Sequence, residues 1–110
     1  MGAYFPMLIA EIDVQTISCI RFLIPKQDIG RDDVEITIDY GVSLNDSKTL
    51  TCNIWARIGN ASIKGFLTTL HVEKAKSSDD DVDNIMTALN SSEEFYNTLH
   101  QFIAFMSQGK

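Results

Sequence analysis

The length, composition and charge of this chain exclude several classes of protein. With 110 residues, 45% of them hydrophobic and 22% charged, it fits one folded domain, residues 1–110, rather than a disordered or collagen-like protein. Its net charge of −6 and its scattered basic residues argue against nucleic-acid binding, because a phosphate backbone would be repelled.

Four consecutive segments show the two-residue period of β-strands, at about residues 8–24, 34–45, 49–59 and 63–74. The second is the clearest, because apolar residues from Val34 to Leu44 alternate with polar residues or glycine, as in a half-buried antiparallel strand. Turn sequences at residues 45–47 and 59–62 join strands two to four into a predicted meander. Residues 25–31 give the chain enough length to cross over between the first two strands rather than make a tight hairpin.

The apolar period changes to that of an α-helix after residue 76. Residues 82–89 predict a short amphipathic helix that follows an acidic run and ends at Asn90 in the left-handed conformation. Ser91 and Glu94 then form a capping box for a long C-terminal helix. The buried stripe of that helix is predicted to contain Phe95, Leu99, Phe102, Ile103 and Met106. The predicted fold class is therefore α+β, with a four-stranded antiparallel sheet followed by a short helix and a long C-terminal helix packed on one face.

The sequence also predicts a cellular compartment. Its start lacks the basic and apolar regions of a signal peptide, and no window approaches about 18 uninterrupted apolar residues. We therefore expect a cytoplasmic protein with no membrane partner. In that compartment Cys19 and Cys52 are expected to be free thiols that are buried as small apolar residues.

No pattern in the sequence predicts catalysis, a cofactor or a metal site. Asp79, Asp81 and Asp83 resemble the start of a calcium-binding loop, but Asn84 and Asn90 stand where that loop needs a glycine and a bidentate glutamate. Carboxylates at these positions are instead expected to stabilise the first turn of the helix, because they interact favourably with the positive end of the helix dipole. The cysteines and histidines lack the close spacing of zinc ligands, and no Walker A or nucleophile-elbow motif is present. We therefore expect that the protein is not an enzyme.

Several predicted strands carry apolar residues at both odd and even positions, so apolar side chains are expected on both faces of the sheet. This is the one remaining feature of the sequence that bears on function. One layer of helices cannot bury both faces of a sheet, so the second face is expected to be an interaction surface. It is interpreted either as a subunit interface or as a groove for extended apolar polypeptide, and both can hold at once. The candidate polypeptide-binding or interface residues are Ile17, Leu23, Trp55, Phe66, Leu70 and Val72.

With this order of elements, the chain resembles the SecB-like chaperone family. The stretch Gly65-Phe66-Leu67-Thr68-Thr69-Leu70-His71-Val72 is similar to the last strand of that family, and residues 102–109, Phe-Ile-Ala-Phe-Met-Ser-Gln-Gly, are similar to its main helix. The resemblance implies a holdase chaperone that shields apolar segments of unfolded clients and assembles as a homodimer or homotetramer. The family's second C-terminal helix has no counterpart here, so export targeting is not carried over.

Two other functions stay open. A small acidic inhibitor or immunity-type protein would bind one folded basic partner, with Glu35, Asp39, Asp46 and the acidic run at 79–83 steering the encounter. A carrier would hold a small molecule between sheet and helix, although the aromatic residues there are explained more simply by packing.

Overall fold

The computed structural model describes residues 18–24, 33–59 and 64–108, with side chains in the last helix up to residue 105. Its strands are β1 (Ser18–Ile24), β2 (Val34–Val42), β3 (Thr49–Ile58) and β4 (Gly65–Glu73), and its helices are α1 (Ser78–Asn90) and α2 (Glu93–Gln108). The strands form one antiparallel sheet, so the predicted α+β fold class is confirmed. Residues 8–17 of the predicted first strand lie outside the described ranges. Over those ranges, neither helix combines the length and the apolarity needed to cross a membrane.

The sheet is a meander in the order β1-β2-β3-β4. β1 pairs directly with β2, from Ser18 opposite Tyr40 to Ile24 opposite Val34. Residues 25–31, which are predicted to cross over between the first two strands, lie outside the described residues, and the two strands that they connect are direct antiparallel neighbours, so a crossover is not what joins them. The length of this connection does not decide between the two arrangements, because a long loop can also join two neighbouring strands.

The hydrophobic core lies between one face of this sheet and the two helices. On that face, cross-strand pairing sets Ile38 between Ile20 and Ile54, and it sets Ile36 between Phe22 and Ala56. The helices cover these rows with buried residues at helical spacing, namely Ile85, Leu89, Phe95, Leu99, Phe102 and Ile103. The predicted stripe of α2 is thus confirmed as far as Ile103, and the side chain of Met106 lies outside the described set.

A β-bulge in β4 changes which side chains share a face. Ile54 pairs with Thr68, but the next residue, Trp55, pairs with Phe66, so that Leu67 is an extra residue opposite no partner. An extra residue shifts the two-residue alternation by one step. Phe66 therefore lies on the face opposite the helices, while Leu70 and Val72 lie on the helix side.

α1 begins at Ser78 rather than at the predicted residue 82, and the junction between the two helices also differs from prediction. α1 ends at Asn90, as predicted, but the next residue, Ser91, has αR backbone angles and donates its N–H to carbonyls of α1, so the helix ends without a left-handed residue. Ser92, not Ser91, then caps α2 by accepting a hydrogen bond of 3.1 Å from the Phe95 N–H. The link between the two helices is one residue longer than the predicted capping box assumes, and the Glu94 carboxylate accepts a hydrogen bond of 2.8 Å from the Thr68 hydroxyl.

Asp46 fixes the hairpin between β2 and β3. Its carboxylate accepts hydrogen bonds from the Lys48 N–H at 2.9 Å and from the Thr49 hydroxyl at 2.8 Å. These bonds, that of the Lys48 backbone first, hold the pKa of Asp46 below its usual value. The Asp46 carboxylate thus stabilises the turn, as Asp and Asn side chains commonly do by bonding to the backbone two residues further on.

Candidate polypeptide-binding site

The helices do not cover the sheet evenly. Both pack mainly on β4, and α2 also packs on β3. Apolar residues that face the helix side from β1, and from the last part of β2, are consequently only partly buried beside the core. We call this set the β1 shelf, and its members are Ile20, Phe22, Ile24, Tyr40 and Val42.

The second face of the sheet, opposite the helices, is polar at its centre. Thr37, Thr51 and Asn53 are all buried there. The Thr69 hydroxyl donates to Asn53 Oδ1 at 2.7 Å, and the Ser43 and Thr51 hydroxyls share a hydrogen bond. The prediction of an apolar second face is therefore wrong across this centre, where two hydrogen-bonded pairs of small polar side chains stand in place of an apolar surface.

Trp55 and Phe66 are the predicted site residues that the structure brings together. Their rings pack edge to face on the second face, with centroids 5.2 Å apart. The Lys64 ammonium lies 5.5 Å from the centroid of the Trp55 ring, within cation–π range. Phe66 is only 6% exposed, so the two rings pack against each other and do not line an open groove.

The other predicted site residues lie elsewhere. Leu23 on β1 is 61% exposed, but Thr37 and the ion pair of Glu35 with Arg57, at 2.7 Å, separate it from Trp55. Leu70 and Val72 pack with the core on the helix side because of the bulge at Leu67. Ile17 lies outside the described residues. The predicted set is therefore split between two faces rather than gathered into one surface.

The β1 shelf itself was not predicted as a site. Its residues appear in the sequence as the inward parity of two strands, and that parity is correct. Nothing in the spacing of apolar residues indicates which strands a helix layer will leave partly open. The available signal was composition, because β1 carries apolar residues on both parities over Ile20 to Ile24.

The two cysteines occupy opposite faces and different chemical environments. Burial, and secondarily the negative charge of Asp81, raises the pKa of Cys52 to about 12, so this thiol is neutral at physiological pH and a poor nucleophile. Cys19 is exposed on the second face of β1, so its predicted burial is wrong. Both thiols are free, as predicted, and their positions on β1 and β3 with opposite orientations do not allow a bridge.

The acidic run at 79–83 belongs to the start of α1. Asp79, Asp80 and Asp81 form the first turn of α1, behind the Ser77 cap. Asp81 is buried, accepts a hydrogen bond of 2.7 Å from the Ala75 N–H and lies 3.9 Å from the Lys74 ammonium. Across the described ranges, no cluster of three or more His, Cys, Asp or Glu side chains has a geometry for holding a metal ion.

Comparisons with known proteins identify no relative. No family model matches this chain. Searches of curated proteins and of solved structures likewise gave no significant match. The resemblance to SecB-like chaperones therefore stays a prediction, and the β1 shelf is the feature of the described residues that bears on function.

Proposed function

We propose that this protein is a non-enzymatic polypeptide-binding protein, a holdase in the manner of the SecB-like chaperones, which shields apolar segments of unfolded clients. The observation that carries the proposal is the β1 shelf, a strip of half-buried aliphatic and aromatic side chains at the edge of an otherwise buried core. Contiguous apolar surface of this kind normally marks an interaction site.

The side chains of the β1 shelf favour clients of many sequences. Ile20, Phe22 and Ile24 offer apolar contacts without a charge, and the one basic residue of β1, Arg21, lies on the second face. Apolar contact is non-directional and scales with the area removed from water. We therefore propose a surface that selects for exposed apolar length rather than for one partner's charge pattern, with little dependence on salt.

The alternative of an acidic inhibitor has no specific observation in its favour and stays a prediction. Three of the carboxylates on which it depends have partners within the fold. Glu35 pairs with Arg57, Asp46 holds the β2–β3 turn, and Asp81 bonds the Ala75 N–H. Arg57 offsets the charge of Glu35, and the Lys74 ammonium lies 3.9 Å from Asp81, so these two carboxylates contribute less to steering a basic partner.

Aggregation of a chemically denatured client, followed by light scattering after dilution, tests the proposal. The wild-type protein is expected to slow scattering at equimolar ratios, and Tyr40→Lys is expected to lose most of this protection because it places a charge on the β1 shelf. Leu44→Lys is the matched control, since Leu44 is 57% exposed but lies outside the shelf, in the β2–β3 connection.

Three results would count against the proposal. The first is a wild-type protein that protects none of several clients. The second is equal loss of protection in Tyr40→Lys and Leu44→Lys, with both variants folded by circular dichroism. The third is protection that disappears with added salt and saturates with one protein only, which would favour the inhibitor.

A further inference from the structure

Two N–H groups on the second face of the sheet are buried without a hydrogen-bond acceptor among the described residues. They are Nε1–H of the Trp55 indole and Nε–H of the Arg57 guanidinium. Arg57 donates to Glu35 from Nη2, at 2.7 Å, and this bond leaves its Nε–H unused. Buried donors nearly always have an acceptor, because an unpaired donor has lost its hydrogen bonds to water. These two groups therefore indicate an acceptor that comes from outside the described chain.

Trp55 and Arg57 lie side by side on β3. They are alternate residues of one strand, so their side chains leave the sheet on the same face, about 6.6 Å apart along the strand. A carboxylate has two oxygen atoms, and at N···O distances of about 2.9 Å each oxygen can accept from one of the two N–H groups. Trp55 is half-buried and the Arg57 side chain is 40% exposed. A change of side-chain rotamer can therefore present each N–H to an incoming group without opening the sheet.

Lys64 adds a cation beside these donors. Its ammonium lies 5.5 Å from the centroid of the Trp55 ring, and Arg57 follows Trp55 by two residues. Glu35 offsets the charge of Arg57, so the three side chains Arg57, Glu35 and Lys64 keep one positive charge in excess. This local charge is opposite in sign to the net charge of −6 of the whole chain. An anion is therefore attracted here, although the chain as a whole repels it.

We propose that Trp55, Arg57 and Lys64, which we call the donor corner, bind the carboxylate of a small organic acid. One carboxylate oxygen accepts from the Arg57 Nε–H, the other accepts from the Trp55 Nε1–H, and the Lys64 ammonium offsets the negative charge. The apolar part of the acid lies on the part of the Trp55 ring that Phe66 leaves open. The donor corner is on the face opposite the β1 shelf, so this proposal does not rest on the proposed function.

A carboxylate matches the donor corner better than a phosphate group does. It carries one negative charge, equal to the excess positive charge there, whereas a phosphate monoester carries about 1.5–2 negative charges near neutral pH. The additional charge of a phosphate would face Asp33 and Glu35, at the start of β2, without a matching cation. Water is the competing acceptor, and it differs from a carboxylate in carrying no charge.

Nuclear magnetic resonance of the indole N–H tests the proposal. Trp55 is the one tryptophan of the chain, so its Nε1–H gives a single cross-peak in a proton–nitrogen correlation spectrum. Titration with phenylacetate is expected to move this cross-peak downfield until the site is saturated, because the indole then donates to a charged oxygen. Phenylacetamide has the same shape without the charge, and this control ligand is expected to bind at least about tenfold more weakly.

Two variants locate the binding. Arg57→Lys keeps a positive charge beside Glu35 but removes the Nε–H, and it is expected to weaken phenylacetate binding by at least about tenfold. Lys64→Met removes the excess charge and is also expected to weaken binding. Lys48→Met is the matched control for Lys64→Met, since Lys48 is exposed in the β2–β3 turn and only its backbone N–H bonds to Asp46. It is expected to bind phenylacetate as the wild type does.

The two ligands are compared on the wild-type protein, so the main result does not depend on the folding of any variant. A cross-peak that stays in place with phenylacetate, or that responds equally to phenylacetamide, overturns the proposal and assigns both donors to water. A response to inorganic phosphate but not to phenylacetate overturns the choice of a carboxylate. Unchanged affinity in folded Arg57→Lys, or equal loss in Lys64→Met and Lys48→Met, overturns the placement of the site at the donor corner.

Discussion

Replacing Ile54 by alanine is expected to lower the free energy of unfolding by about 2–5 kcal/mol. Ile54 is fully buried in the middle of the core face, between Ile38 on β2 and Thr68 on β4. Truncation there removes apolar contacts and leaves a cavity that a central strand cannot close by moving. Urea unfolding followed by far-ultraviolet circular dichroism gives the change from the shift in midpoint.

Leu23→Ala is the control for this measurement. Leu23 is also a branched aliphatic residue in a strand, but it is exposed on the edge strand β1. Its truncation is expected to change the free energy of unfolding by no more than about 0.5 kcal/mol. Equal losses in the two variants would contradict the placement of the core between the helices and the inner face of the sheet.

Gly65→Ala is expected to destabilise the protein by about 1–3 kcal/mol. A Cβ atom on Gly65 would overlap the Phe102 ring, with Phe102 Cδ1 only 2.8 Å away and another ring atom closer still. α2 can approach the first residue of β4 only because this position lacks a side chain. The alanine therefore forces either the ring or the helix to move away from the sheet.

A second background separates this clash from the general effect of a glycine substitution. In Phe102→Leu, which lacks the outer ring atoms nearest to Gly65, the same Gly65→Ala change is expected to cost less. The difference between the two costs is the coupling energy of the pair, measured by a double-mutant cycle in urea. An identical cost in both backgrounds would show that Phe102 is not what restricts residue 65.

Much of the fold was predictable from local patterns. The alternation from Val34 to Leu44 and the turn at Asn45-Asp46-Ser47 correctly predicted a hairpin, because strand period and turn chemistry agree there. The helical stripe of α2 was equally clear. The bulge at Leu67 was not, because one extra residue leaves no mark in a sequence whose apolar residues occur on both parities. Because of that extra residue, Leu70 and Val72 lie on the face of the sheet opposite to Phe66.

The candidate site was less predictable than the fold. The sequence correctly places Trp55 on the face opposite the inward residues of β3. It cannot show that Thr37 and the Glu35–Arg57 ion pair lie between Leu23 and Trp55. The β1 shelf depends on where the helices lie over the sheet, and this is set by close contacts such as that of Phe102 with Gly65. Contacts between distant parts of the chain are not encoded in any one segment's period.

Site-specific photocrosslinking to an unfolded client tests most directly whether the β1 shelf binds polypeptide. The photoreactive residue benzoylphenylalanine would replace Tyr40 on the shelf or, as a matched control, Tyr96 on α2, which is an aromatic residue 40% exposed away from the shelf. We expect a fluorescently labelled, chemically denatured client to crosslink at residue 40 and not at residue 96. Crosslinking at residue 96 alone, or equally at both, would contradict the account.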